Sequence, residues 1–269
     1  MLKDITLGQY FPGSSIVHRL DPRLKIILIA ALIVMLFVTN TAIAYCLLAA
    51  FILLTIRLSK LSLRMILRGL KPIVVIIVLT GVLNLFYTPG LEILRLFGVL
   101  SITQEGVRTA IIMVVRLILL IAGTSILTYT TSPIALTDAL ERLFSPLKVI
   151  HVPVHEVAMM MSIALRFIPI LLEETDKIMK AQMSRGADFE SGNLMHRLHN
   201  MIPLLVPLFI SATRRANELA YAMDARCYNG GAGRTKMKPL KYNPRDYKGY
   251  AVLVLYVIVL ILVTRTVAI

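Results

Sequence analysis

The chain has 269 residues, of which 57% are hydrophobic and 16% charged, and its mean hydropathy is +0.78. That is more apolar surface than a soluble core of this size buries, which argues against a soluble enzyme. The 29 Lys and Arg against 15 Asp and Glu give +14; in so apolar a chain this excess reads as basic loops at a cytoplasmic membrane face, and no nucleic-acid partner is expected.

In chain order, the first apolar run is Leu24 to Val38 and the second Ala42 to Ile56, joined by the polar knot Thr39-Asn40-Thr41. Apart from Lys25 at its entrance, this hairpin carries no charged side chain. Each run is somewhat short of the ~20 residues a bilayer asks for, and flanking residues complete it. Asp21-Pro22-Arg23 reads as a helix-start device, an aspartate cap followed by a first-turn proline. Lys3, Arg19, Arg23 and Lys25 lie at or before the start of the first run, and Arg57, Lys60, Arg64, Arg68 and Lys71 follow the second without an acid, so both flanks are expected in the cytoplasm. Ile73 to Phe86 is the third span, ending in the turn Tyr87-Thr88-Pro89-Gly90. From Leu91 to Arg108, Glu92 and Glu105 balance Arg95 and Arg108, as in an outside loop. Gly106 to Thr130 is the fourth span and Tyr250 to Val263 the fifth, with the C-terminus outside. No basic n-region with a small-residue cleavage site marks a removable signal peptide.

Residues 131 to 246 differ in kind, with 15 Lys/Arg and 11 Asp/Glu spread through helical patterns that prolines interrupt. We expect an extramembrane helical domain: a short amphipathic helix from Pro133 to Phe144, a long one from Val154 to Arg185 bent near Pro169, and a third from about Leu194 to Arg226. The expected organisation is a cytoplasmic segment 1–23, four spans in 24–130, a coupling domain 131–246 and a last span in 247–269.

The two long helices end alike, in Ala181-Gln-Met-Ser184-Arg185-Gly186 and Ala222-Met-Asp-Ala225-Arg226-Cys227. A last-turn arginine has a plain role against the helix dipole, worth a few tenths of a kcal/mol to about 1. Repetition of a small residue followed by arginine favours a docking tip, because a guanidinium fork can hold a partner's carboxylates or carbonyls.

At these residues the chain resembles a known family, the transmembrane coupling (T) component of energy-coupling factor transporters, EcfT/CbiQ-like importers of vitamins and some metal ions. Tyr10-Phe-Pro-Gly-Ser-Ser-Ile-Val-His-Arg-Leu-Asp-Pro-Arg-Leu-Lys25 looks like its N-terminal signature, Leu165-Arg-Phe-Ile-Pro169 like its mid-domain signature, and the helix ends like its paired Ala-Arg-Gly motifs. The resemblance implies two long coupling helices that cross. It places the docking of two ATP-binding cassette subunits on Ser184, Arg185, Gly186 and on Ala225, Arg226, Cys227. Ser184 replaces the alanine of the first motif and Cys227 the glycine of the second, so the second chain reversal is expected to fall to Gly230. ATP and Mg would belong to the partner subunits, with no cofactor or metal in this chain.

Nine of the thirteen methionines lie in 131–246, among them Met159, Met160 and Met161. Core filling and a surface that repacks against partners are both open readings; the resemblance adds contact of Met159, Met160, Met161 and Pro169 with a small substrate-binding membrane subunit. Arg116, inside the fourth span, is either functional or a structurally held arginine, and the absence of an intramembrane carboxylate favours the second. His151 with His155 and His196 with His199 lack the ligands of a metal site. The loop Gly230 to Lys236 lacks the Gly-Lys-Ser/Thr ending of a phosphate cradle. The expected function is a non-catalytic membrane scaffold in an ATP-driven importer. The alternative is a self-sufficient channel or secondary transporter.

Overall fold

Asp21 opens the first helix as the sequence predicts. Its carboxylate accepts the Arg23 backbone N–H at 2.8 Å, Pro22 sits at the first helical position, and α1 runs over Pro22–Val38. The computed structural model describes residues 10–96, 100–187, 189, 195, 201–231, 237 and 239–267, so His196, His199 and most of the glycine-rich loop lie outside the described residues. After α1 come α2 (Ala42–Ser59), α3 (Leu63–Leu70), a 3-10 turn (Lys71–Ile73), α4 (Val74–Tyr87) and a β-hairpin (β1 Glu92–Leu96, β2 Leu100–Thr103). Then follow α5 (Gln104–Thr130), α6 (Pro133–Leu143), a 3-10 turn (Ser145–Ile150), α7 (Val154–Ser184), α8 (Ile202–Asp224) and α9 (Pro244–Val267). The architecture is the expected all-helical membrane fold.

Two features depart from the expectation. The third run begins at Leu63, well before Ile73, because Arg64 and Arg68 lie on an exposed face while Ile66 is buried between them; an amphipathic first turn escapes a reading by hydropathy alone. The segment expected as an outside loop holds an antiparallel pair, with Arg95 opposite Ser101 and Leu96 opposite Leu100. Its apolar residues alternate at period two through Leu94, Leu96, Leu100 and Ile102, the strand pattern that the charge balance obscured.

Among the described residues, five helices are long and apolar enough to cross a membrane: Ala42–Ser59, Leu63–Tyr87, Gln104–Thr130, Val154–Ser184 and Pro244–Thr266. The number matches the sequence reading, but the membership does not. α1 has 17 residues, about 26 Å of helix against a hydrocarbon core of about 30 Å. α7 qualifies because five of its seven Asp, Glu, Lys and Arg residues gather at one end, in Glu173, Glu174, Asp176, Lys177 and Lys180, leaving before them a largely apolar stretch that holds only Glu156 and Arg166.

The chain divides into two compact units, one of residues 10–136 with 240–267, the other of 137–239. In the first, α5 packs against α1, α2, α3 and α4, and α9 closes on α1 and α2. Leu32, Leu36, Leu48, Ile52, Leu119, Ile126 and Leu260 form the core. Two polar clusters pin it. At one end, fully buried Asp246 accepts the backbone N–H groups of Asp21 at 2.8 Å and Asn243 at 2.7 Å, while Arg23 pairs with Asp21 at 2.7 Å and lies 3.8 Å from the Tyr242 ring centroid. At the other, Arg116 donates to the Tyr45 hydroxyl at 3.0 Å and to Asn40 Oδ1 at 3.5 Å, and Tyr45 donates to the Leu36 carbonyl. Arg116 is thus the structurally held arginine of the two readings.

Candidate functional site

The second unit is built on α7 and α8. Glu174 of α7 pairs with Arg215 of α8 at 2.8 Å, and Gln182 donates to the Pro203 carbonyl at 3.3 Å. Contacts move up α7 as they move down α8, so the two helices lie antiparallel. The 23 residues of α8 span about 35 Å. Arg185 sits three residues beyond Gln182, at the start of α8, and Arg226 at its far end. The two arginine tips therefore stand at opposite ends of the pair, roughly 35 Å apart.

Each tip is closed by the same backbone device. At the end of α7, the Ala187 N–H donates to the Gln182 carbonyl and the Gly186 N–H to the Met183 carbonyl, both at 3.0 Å. At the end of α8, Tyr228 donates to Met223 at 3.0 Å and Cys227 to Asp224 at 2.8 Å. Both are Schellman motifs, and in both the arginine directly precedes a left-handed position. That position is Gly186 at φ +88° in the first and Cys227 at φ +55° in the second. The expectation that reversal would shift to Gly230 is corrected: Cys227 takes the left-handed conformation itself, because the two capping hydrogen bonds outweigh its Cβ penalty. Gly230, also at positive φ, is a second bend further on.

Ser184, Arg185, Gly186, Ala225, Arg226 and Cys227 are all exposed. Neither tip guanidinium forms an ion pair or hydrogen bond with any described residue. The Ser184 hydroxyl donates back to the Lys180 carbonyl at 3.0 Å, so the departure from alanine is satisfied within its own helix. A cleft of about 380 Å³ opens beside Arg226, lined by Met159, Ile163, Leu219, Met223 and Cys227.

The rest of the pair is sparsely covered. Of the 31 residues of α7 only Val154 and Ala158 are buried, and of the 23 of α8 only Leu204. Met160, Met161, Met183, Met195 and Met201 are exposed, as is Pro169, while Met159 is half-buried against α8. Most of these methionines therefore lie at the surface and do not fill a core. α7 continues through Pro169 as one helix, although the proline cannot donate to the Leu165 carbonyl. His155 Nδ1 bonds Glu141 at 3.0 Å, and among the described residues no three His, Cys, Asp or Glu side chains converge as a metal site would require.

Comparison with known proteins decides what kind of chain carries these tips. The CbiQ family, described as a cobalt transport protein, matches residues 13–237. The chain belongs to this family. Its similarity to energy-coupling factor transporter transmembrane proteins EcfT extends over more than nine-tenths of the chain. It is 56% identical to that of Ruminiclostridium cellulolyticum over 91% of this chain and 92% of the relative. It is 56% identical to that of Thermosediminibacter oceani over 93% and 94%, and 54% identical to that of Acidaminococcus fermentans over 96% of each. This CbiQ-family chain is accordingly the transmembrane component of an energy-coupling factor transporter.

Sequence reasoning missed Asp246 as a partner of Asp21 and placed Asn40 and Tyr45 in no site. Their chain neighbourhoods look like ordinary helix ends. Only the charge of each buried partner, which must find a counterpart somewhere, could have signalled them.

Proposed function

We propose that this chain is the scaffold of an ATP-driven importer of vitamins or other micronutrients, and that Arg185 and Arg226 each seat in one of two ATP-binding cassette subunits. The observation that carries the reading is the pair of exposed guanidiniums, unbonded among the described residues, on like Schellman caps at opposite ends of one helix pair. A backbone cap that is already ordered loses little further freedom on binding, so the cost falls on the arginine side chain alone, and a separation of roughly 35 Å suits two separate sockets. ATP and Mg are bound by those partners, whose closing and opening moves the tips. The apolar, methionine-bearing surface of α7 and α8, including Met159, Met160, Met161 and Pro169, passes the motion to a small membrane subunit that captures the substrate.

In this reading α1 completes its crossing with flanking residues, α7 lies outside the membrane beside α8, and the N-terminus and coupling domain face the cytoplasm. The basic residues Arg19, Arg23, Arg57, Lys60, Arg64 and Lys248 support that orientation. The test is co-purification of the ATPases with the double variant Arg185→Glu, Arg226→Glu. Assembly should be lost while membrane insertion persists; recovery of both ATPases at wild-type yield would refute the docking.

A further inference from the structure

Where α1 and α9 begin and α2 and α5 end, the membrane bundle holds a cleft of about 330 Å³ that the coupling mechanism does not use. Its walls are apolar, from Leu20, Leu28, Phe51, Leu54, Leu58 and Val252. Leu54, Leu58 and Val252 are 56%, 45% and 56% exposed, so the cleft is open along a surface that a bilayer would cover. Its volume lies at the low end of small-molecule sites, which run from about 300 to 1,000 Å³. Gly249 sets its floor: a Cβ there would stand 2.5 Å from Leu24 Cδ2, so α1 and α9 meet without a gap.

The rim has the opposite character. Arg245 and Lys248 line the cleft, are exposed, and form no ion pair with any described residue. The nearest acids are engaged elsewhere, Asp246 by the backbone N–H groups of Asp21 and Asn243 and Asp21 by Arg23. The Lys25 stem also lines the cleft, but its ammonium is bound to the Thr130 carbonyl at 2.9 Å and to Thr131 Oγ1 at 3.3 Å. Two free cations therefore stand at the mouth of an apolar slot at a basic membrane face. We infer that this cleft binds an anionic phospholipid, with an acyl chain along α2 and α9 and the headgroup phosphate between Arg245 and Lys248.

The sequence contains no tryptophan, so Leu58→Trp places a single indole in the slot, and Leu79→Trp, on the exposed face of α4, places one outside it. Each full-length variant is reconstituted in phosphatidylcholine vesicles containing a small fraction of phosphatidylglycerol, with bromines on the acyl chains of one lipid or the other. Each cation favours anionic lipid by about fivefold, so the indole of Leu58→Trp should be quenched by brominated phosphatidylglycerol with roughly twenty-fivefold preference over phosphatidylcholine at low salt. The preference should vanish when Arg245→Ala and Lys248→Ala are added and persist with Arg64→Ala and Arg68→Ala, which remove two exposed cations that do not line the cleft. The Leu79→Trp indole should show none. Equal quenching by both lipids would mean bulk lipid fills the cleft, and no quenching by either would mean protein does; either result overturns the inference. Free phosphate carries no bromine and cannot mimic the signal.

Discussion

Gly186 and Cys227 hold the same place in two separate helix ends, the left-handed residue directly after an arginine, at φ +88° and +55°. One pays no steric cost there and the other does, by about 1 kcal/mol. Cys227→Gly should therefore tighten the second tip by that amount, read as roughly fivefold slower hydrogen exchange at the amides of residues 227 and 228. Nothing lies within 4 Å of a Cβ built on Gly186, so Gly186→Ala should loosen the first tip by a similar amount through backbone conformation alone.

Arg116 and Tyr45 should respond unequally to substitution. Tyr45→Phe strips the buried guanidinium of its 3.0 Å partner and leaves the Leu36 carbonyl without its side-chain donor. That should cost about 1–3 kcal/mol. Arg116→Met removes the charge that needs solvating and should cost less, since an apolar replacement of a buried ion is often near neutral. Thermal unfolding in detergent should rank the variants in that order, and equal losses would contradict the account.

Asp246 serves two backbone donors with one carboxylate and is fully buried. Asp246→Ala orphans both N–H groups, at about 1–3 kcal/mol each. Asp246→Asn keeps one oxygen and should fall about midway. Limited proteolysis should show the start of α9 loosening in the order Ala, then Asn, then wild type.

These three cases also mark how far the sequence could be read. Hydropathy places α2, α5 and α9 because a bilayer demands apolar length, and Leu20-Asp21-Pro22-Arg23 announces its cap because that device is local. The repeat that pointed to Arg185 and Arg226 was legible for the same reason: each Schellman cap is closed within six residues. Asp21 with Asp246 was not legible, since the partners lie 225 positions apart and neither segment carries a mark of the other. Cys227 misled by propensity, which penalises cysteine in a left-handed position but does not count the hydrogen bonds gained there. α7 shows a further limit: length and hydropathy admit it as a span, whereas the sequence reading sets it outside the membrane on its charged C-terminal half.

Cys227 supplies the most direct test of the tips, because it is exposed and adjacent to Arg226. If Arg226 seats in an ATPase, the neighbouring thiol is covered at the same time. Labelling by a water-soluble maleimide in vesicles carrying the coupling domain outward should be fast for the chain alone and fall to background on adding the ATPases. Arg226→Glu should restore labelling in their presence, while Arg185→Glu should leave Cys227 protected, since that tip stands at the other end of the helix pair. Cys46, in the first turns of α2, provides the internal comparison: its labelling should be slow in a bilayer and indifferent to the ATPases. Protection of Cys227 that survives Arg226→Glu would show that the second tip does not dock through its guanidinium.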